Sequence, residues 1–185
     1  HEIQKVEEID AEGIKALIDQ QALADFRRRA LNPNAPVTRG TAQNQDVYFQ
    51  SREASNRFYD AVPDIVAGYM AQISQLTGRE YHPFDYYGAA DAEQVIVAMG
   101  SVTHTIRQTV DYLNKQGKKT GVVLVRLYRP FSAKYLFDVL PASVKRVTVL
   151  DRTKEPGSDG EPLYLDVRNV LSQSRLEIAC VIAGR

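Results

Sequence analysis

The sequence predicts an α/β sandwich for the C-terminal two thirds of the chain, preceded by a helical extension. Up to Gly78 the apolar residues recur at helical spacing, and beyond it they gather into five short β-branched or aromatic runs bounded by turn residues. Helical patterns fall between the later runs. Strand, helix, strand at that spacing is what right-handed crossovers of a parallel sheet covered by helices require.

The extension opens with Ile14, Leu17, Ile18, Ala22, Leu23 and Phe26, which form one helix or two short ones between Asp10 and Leu31, with Asp10 as N-cap and Glu12 in the first turn. Residues 32–44 hold Pro33, Pro36 and Gly40 among small polar residues and read as a long loop. From Asp46 onward Ala54, Phe58, Ala61 and Val62 share a face. Pro63 then either kinks that helix or opens a second one, and Ile65, Val66, Tyr69, Met70, Ile73 and Leu76 continue the stripe to Gly78, a left-handed cap. The expected strands are residues 84–87, 95–99, 122–128, 147–150 and 179–183, four of them buried on both faces. The expected helices between them cover 101–116, 132–140 and 162–171.

A chain of 185 residues can bury roughly 70% of its unfolded surface and so has a real core. Its 23 Lys and Arg balance 23 Asp and Glu, which disfavours a nucleic-acid partner held by bulk charge. One cysteine, Cys180, leaves no internal disulfide framework, no thiolate zinc site and no cysteine-ligated cluster within the chain. Cys180 is expected as a small core hydrophobe in a reducing, cytoplasmic compartment. No apolar run approaches the roughly 20 residues that cross a bilayer, and the first residues lack a signal-peptide core, so no membrane partner is expected. The chain starts at His1 rather than Met and stops within or just after an apolar run; it is expected to be a piece of a longer polypeptide.

In open α/β sheets, ligands gather beyond the carboxyl ends of the strands. Those ends carry Gly100 and Ser101, Arg129, then Asp151, Arg152 and Lys154, and finally Gly184 and Arg185. Gly100 and Ser101 open a helix and could hold an anion at its positive end, although Ser101 as a plain N-cap explains the pair equally well. The stretch around them matches neither the dinucleotide nor the phosphate-loop fingerprint. Residues 151–162 mix charges with Gly and Pro, either as a solvated connector or as a contact surface in which Arg152, Lys154 and Glu155 pair with another domain. Ser101 and His104 are three apart with no third orienting group. His82 precedes Pro83 in a turn, no histidine pair has metal-ligand spacing, Tyr86 and Tyr87 read as edge packing, and Thr38–Thr41 either touches an anion or follows a neighbouring surface.

Longer strings are more specific than any of these. HEIQK at 1–5, LNPNAPVTRGTAQN at 31–44, FDYYGAADAEQVIVAMGS at 84–101, RLYRPF at 126–131 and VLDRTKEPGSDGEPLYLDV at 149–167 closely resemble pyruvate:ferredoxin (flavodoxin) oxidoreductase, over essentially the whole chain. The resemblance implies part of a dimeric, multidomain enzyme that oxidatively decarboxylates pyruvate to acetyl-CoA and CO2. Such an enzyme uses thiamine diphosphate with Mg2+, [4Fe-4S] clusters and CoA as co-substrate, and passes electrons to ferredoxin or flavodoxin. Residues 1–65 are similar to the tail and connector of the pyrimidine-binding domain, and 66–185 to core domain II, which is like the C-terminal domain of transketolase. That fold is a three-layer α/β/α sandwich with a five-stranded, mostly parallel sheet in the order 1-3-2-4-5, strand 1 antiparallel.

The cofactor and pyruvate residues of the family belong to other domains, so no catalytic, cofactor-binding or metal-binding role carries over to a numbered position. Ser158-Asp159-Gly160 echoes the diphosphate motif without its partner Asn. The chain is therefore expected to be inactive alone and to brace its own polypeptide and the second subunit. The alternative is an anion or CoA-phosphate module on the rim of Gly100, Ser101, Arg129, Asp151, Arg152 and Lys154. A self-sufficient hydrolase or dehydrogenase is the third and least supported reading. The bracing role predicts exposed apolar faces on residues 14–26 and 58–76.

Overall fold

The structure is a computed structural model that describes residues 6–38, 40, 42–174, 176–178 and 180–184. His1 and the string at 1–5, Arg39 and Thr41 of the early loop, Ala179 at the start of the last expected strand, and Arg185 lie outside the described residues.

Among the described residues the extension forms four helices. Asp10 caps α1 (Ala11–Leu17), its carboxylate accepting from the Gly13 N–H at 2.7 Å. Asp19 caps α2 (Gln20–Arg28) in the same way, accepting from Ala22 N–H at 2.9 Å. Two short helices therefore replace the single long one the spacing also allowed, because Ile18 leaves α1 in an extended conformation and Asp19 restarts the count. The next break lies at Ser55, between α3 (Gln45–Ala54) and α4 (Asn56–Thr77), where the Ser55 hydroxyl donates to the Arg52 carbonyl at 2.6 Å. Pro63 opens no second helix and sits inside α4, which ends at Gly78 with φ of 67°. That left-handed turn is open to glycine at little steric cost.

The five strands are β1 (Phe84–Gly88), β2 (Gln94–Ala98), β3 (Thr120–Val125), β4 (Arg146–Leu150) and β5 (Cys180–Gly184). They lie in the order β1-β3-β2-β4-β5, with β1 antiparallel to β3 and every other pair parallel. Helices α5 (Val102–Lys115), α6 (Ala133–Val139) and α7 (Pro162–Ser172) join the parallel strands. The order is that of the transketolase C-terminal-like sandwich implied by the resemblance.

Successive residues of a strand point to opposite faces, and the packing divides accordingly. Val95, Val97, Val123, Val125, Val147 and Val149 meet Leu136 of α6 and Leu163, Val167 and Leu171 of α7 on one face. Ala98 and Val122 meet Ile106 and Val110 of α5 on the other, with Ile96 half-buried beside them. One helix cannot cover five strands. Among the described residues none covers β5 on the α5 side, so Cys180 and Ile182 are exposed while Val181 packs toward the larger core. Two expectations are corrected by this: β5 is not buried on both faces, and Cys180 is no core residue. No helix among the described residues is long and apolar enough to cross a membrane.

Helices α1–α4 contain no buried residue, and Phe26 and Phe58 are 68% and 62% exposed. α4 nevertheless touches the sandwich. The Asp64 carboxylate accepts from Lys134 Nζ at 2.9 Å and from the Tyr135 hydroxyl at 2.7 Å, both on α6. The Tyr135 hydrogen bond, and after it Lys134, hold the Asp64 carboxyl below the usual carboxylate range. A depressed carboxylate supports the contact at pH values above its unfolded pKa and loses it as the pH falls through the folded one. Carbon-detected NMR titration should give Asp64 a midpoint below 3.8, returning toward that value in Tyr135→Phe. Urea unfolding should show a loss of about 2–5 kcal/mol for Leu163→Ala, which empties a fully buried site, and at most about 0.5 kcal/mol for the exposed Ile182→Ala.

Candidate functional site

The connection from β2 runs through α5 to β3, and that from β4 runs through α7 to β5, so the chain leaves these two neighbouring strands toward opposite sides of the sheet. A crevice opens at such a reversal, between the carboxyl ends of the two strands. It is present here as a cleft of about 360 Å3 lined by Met99, Gly100, Ser101, Leu150, Asp151 and Arg152. Four of the six rim residues named from the sequence therefore come together: Gly100, Ser101, Asp151 and Arg152.

Each does something different there. Gly100 turns the chain at φ of 76°, and its carbonyl accepts from the Thr103 hydroxyl at 2.8 Å, while Ser101 makes no side-chain cap on α5. Asp151 is only 6% exposed, and its two oxygens accept from the Leu163 and Tyr164 N–H groups of α7, each at 3.1 Å. It is thus the N-terminal cap of α7, supplied from the end of β4 because Glu161, next to the helix, forms no cap. Arg152 is exposed and has no hydrogen-bond or ion-pair partner among the described residues.

Arg129 and Lys154 lie apart from this cleft, each with its own partner. Arg129 donates to Asp166 of α7 at 2.5 Å and to the Tyr128 hydroxyl at 2.9 Å, with its guanidinium 4.0 Å from the Tyr128 ring centre. Burial, and after it the charge of Asp166, pushes the Tyr128 hydroxyl up. Lys154 is 3.5 Å from Glu161, which is 1% exposed and accepts from the Glu155 N–H at 2.7 Å. Residues 151–162 are thus wound around a buried glutamate. Glu161 leaves no local signal in the sequence, since its acceptor role toward the Glu155 N–H exists only once the loop is wound.

A second cluster also escaped the sequence. Asp85 of β1 holds the Arg126 Nε at 2.7 Å through one oxygen and faces His82 Nδ1 at 3.0 Å through the other. Arg126 follows β3, and only the antiparallel register, with Phe84 opposite Val125, brings it beside Asp85. Tyr86 and Tyr87 both anchor β1: the Tyr86 hydroxyl donates to the Ala89 carbonyl at 2.5 Å and that of Tyr87 to Asp111 of α5 at 2.7 Å. His104 forms no triad with Ser101, since no hydrogen bond joins it to a carboxylate among the described residues.

The side chains of the described residues do not fit a magnesium diphosphate or an iron-sulfur cluster. Among the described residues no three His, Cys, Asp or Glu groups converge as a metal would need, and the buried acids Asp151 and Glu161 already accept backbone N–H groups. Ser158 closes its own turn by donating to the Gly160 carbonyl at 2.7 Å.

Residues 92–185 match the family described as pyruvate:ferredoxin oxidoreductase core domain II. Residues 1–71 match that described as pyruvate flavodoxin/ferredoxin oxidoreductase, thiamine diP-binding. A pyruvate-flavodoxin oxidoreductase of Enterobacter agglomerans is 61% identical over 174 residues, 94% of this chain and 15% of its own length. A pyruvate:ferredoxin oxidoreductase of Moorella thermoacetica is 58% identical over 185 residues, 100% of this chain and 16% of its own. A solved 2-oxoglutarate:ferredoxin oxidoreductase from Magnetococcus marinus covers 83% of this chain and 24% of its own at 18% identity and a TM-score of 0.45, too loose a match to carry an argument. The chain belongs to the pyruvate:ferredoxin oxidoreductase core domain II family. It spans about 15% of the length of the relatives it matches.

Because Asp151 caps α7 from a buried position, Asp151→Ala should lower the free energy of unfolding by about 1–2 kcal/mol. Arg152→Ala in the same cleft should stay within about 0.5 kcal/mol of the parent, both measured by urea unfolding.

Proposed function

We propose that this chain is a structural core of a pyruvate:ferredoxin or flavodoxin oxidoreductase, serving assembly rather than catalysis. The larger enzyme would convert pyruvate and CoA to acetyl-CoA and CO2, with thiamine diphosphate, Mg2+ and [4Fe-4S] clusters held by other domains and electrons delivered to ferredoxin or flavodoxin. In this reading residues 1–65 lead out of the pyrimidine-binding domain, and residues 66–185 form the core that keeps the cofactor-binding domains and the second subunit in register.

The carrying observation is the state of α1–α4. Four helices without a buried residue, bearing exposed Phe26, Phe49, Phe58 and Ile65, leave more apolar surface than a self-contained domain of this size has reason to keep. Supporting it, Arg129, Asp151 and Lys154 are each engaged within the fold. Arg152 and the outer face of β5 are left for a neighbouring domain.

Two measurements test the proposal. The 185-residue chain, given pyruvate, CoA, thiamine diphosphate, Mg2+ and an oxidised viologen, should release no CO2; release would overturn it. Within the full-length enzyme, Phe58→Asp with Ile65→Asp should shift the dimer toward smaller species by analytical ultracentrifugation and lower specific activity in parallel, with unfolding of the 185-residue chain unchanged. An intact, fully active dimer would refute an assembly role for α4.

A further inference from the structure

A cleft of about 910 Å3 lies on the far side of the Gly100-Ser101 turn from the crevice described above, between α4 and the start of α5. Its walls carry Arg79, His104, Arg107 and Arg126 against one carboxylate, Glu80. Two further carboxylates, Asp85 and Glu7, pair with Arg126 and Arg79 from outside the lining, and Arg107 is the guanidinium that no carboxylate holds among the described residues. Its volume is within the range of about 300–1,000 Å3 typical of small-molecule sites.

Two of the three guanidinium groups, those of Arg126 and Arg107, are held from behind. Arg126 is fixed through Nε by Asp85 and lies 5.1 Å from the Tyr81 ring centre, so its terminal nitrogens, which make no bond to other described residues, remain for a ligand. Arg107 lies 5.2 Å from the Tyr87 ring centre, and its buried Nε has no hydrogen-bond partner. Arg79 is only loosely paired, 3.6 Å from the exposed Glu7. An exposed pair of that length is weak and readily exchanged for a better acceptor. Positioned guanidinium forks suit phosphoryl oxygens, and their prior ordering lowers the entropy lost on binding. Met70 and Ile73 of α4 add apolar wall beside them.

We infer that this cleft binds an organic phosphate, with the phosphoryl group on Arg79, Arg107 and Arg126 and the apolar part of the ligand against Met70 and Ile73. The site is separate from the assembly role proposed above and does not rest on it.

Isothermal titration of the 185-residue chain with phenyl phosphate, at fixed ionic strength and with inorganic phosphate in parallel, tests this. Phenyl phosphate should bind saturably at one site and more tightly than inorganic phosphate. Its affinity should fall about tenfold or more in Arg79→Gln and in Arg107→Gln, the loss of a charged hydrogen bond, and stay unchanged in Arg152→Gln. Arg79 is exposed and carries the test if Arg107→Gln fails to fold. The inference is overturned by no saturable binding up to about 10 mM, too weak to register as a site. It is overturned equally by affinity that survives Arg79→Gln, or by inorganic phosphate binding as tightly as phenyl phosphate.

Discussion

In this sheet each strand residue has to face one of two layers, and the layers are unequal. α6 and α7 stand on one side and α5 alone on the other. Odd-numbered valines of β2, β3 and β4 meet the double layer and are buried, all but Val125 almost completely. Alternate residues meet the single helix only where it reaches, over β3 and β1 and the last residue of β2. From that inequality follow the exposed Cys180 and Ile182 of β5 and the half-buried Thr148 and Leu150 of β4. Burial of a valine contributes about 1.5–3 kcal/mol, so the double layer supplies most of the hydrophobic stabilisation and the single layer sets where the surface stays unfinished.

The polar groups near the strand ends serve the same economy. Asp151 and Glu161 are buried acids whose oxygens accept backbone N–H groups, and an unpaired buried carboxylate would cost several kcal/mol. Their use as internal acceptors makes residues 151–162 a structured loop.

Much of this was legible in the sequence. Period-2 valine runs and the helices between them located β2, β3 and β4 to within a few residues, because those strands are buried and their pattern is uninterrupted. The strand order came only with the family resemblance, since periodicity carries no information about which strands pair. Runs of Cys-Val-Ile-Ala look alike in a central strand and at an edge, so the exposure of β5 could not be read from residue types. The Arg126-Asp85-His82 cluster depends on antiparallel register, and the Asp151 cap spans 12 residues through space; neither leaves a local signal.

What sets this chain apart from a free-standing sandwich is the apolar surface of α1–α4 and the bare flank of β5. Hydrogen–deuterium exchange, comparing the 185-residue chain with the same residues inside the full-length enzyme, measures directly whether those surfaces are covered. Slower exchange in the full-length protein over residues 45–77 and 180–184, with β2 and β3 equally protected in both, is the expected result. Equal exchange at all four segments would contradict a docking role for this domain.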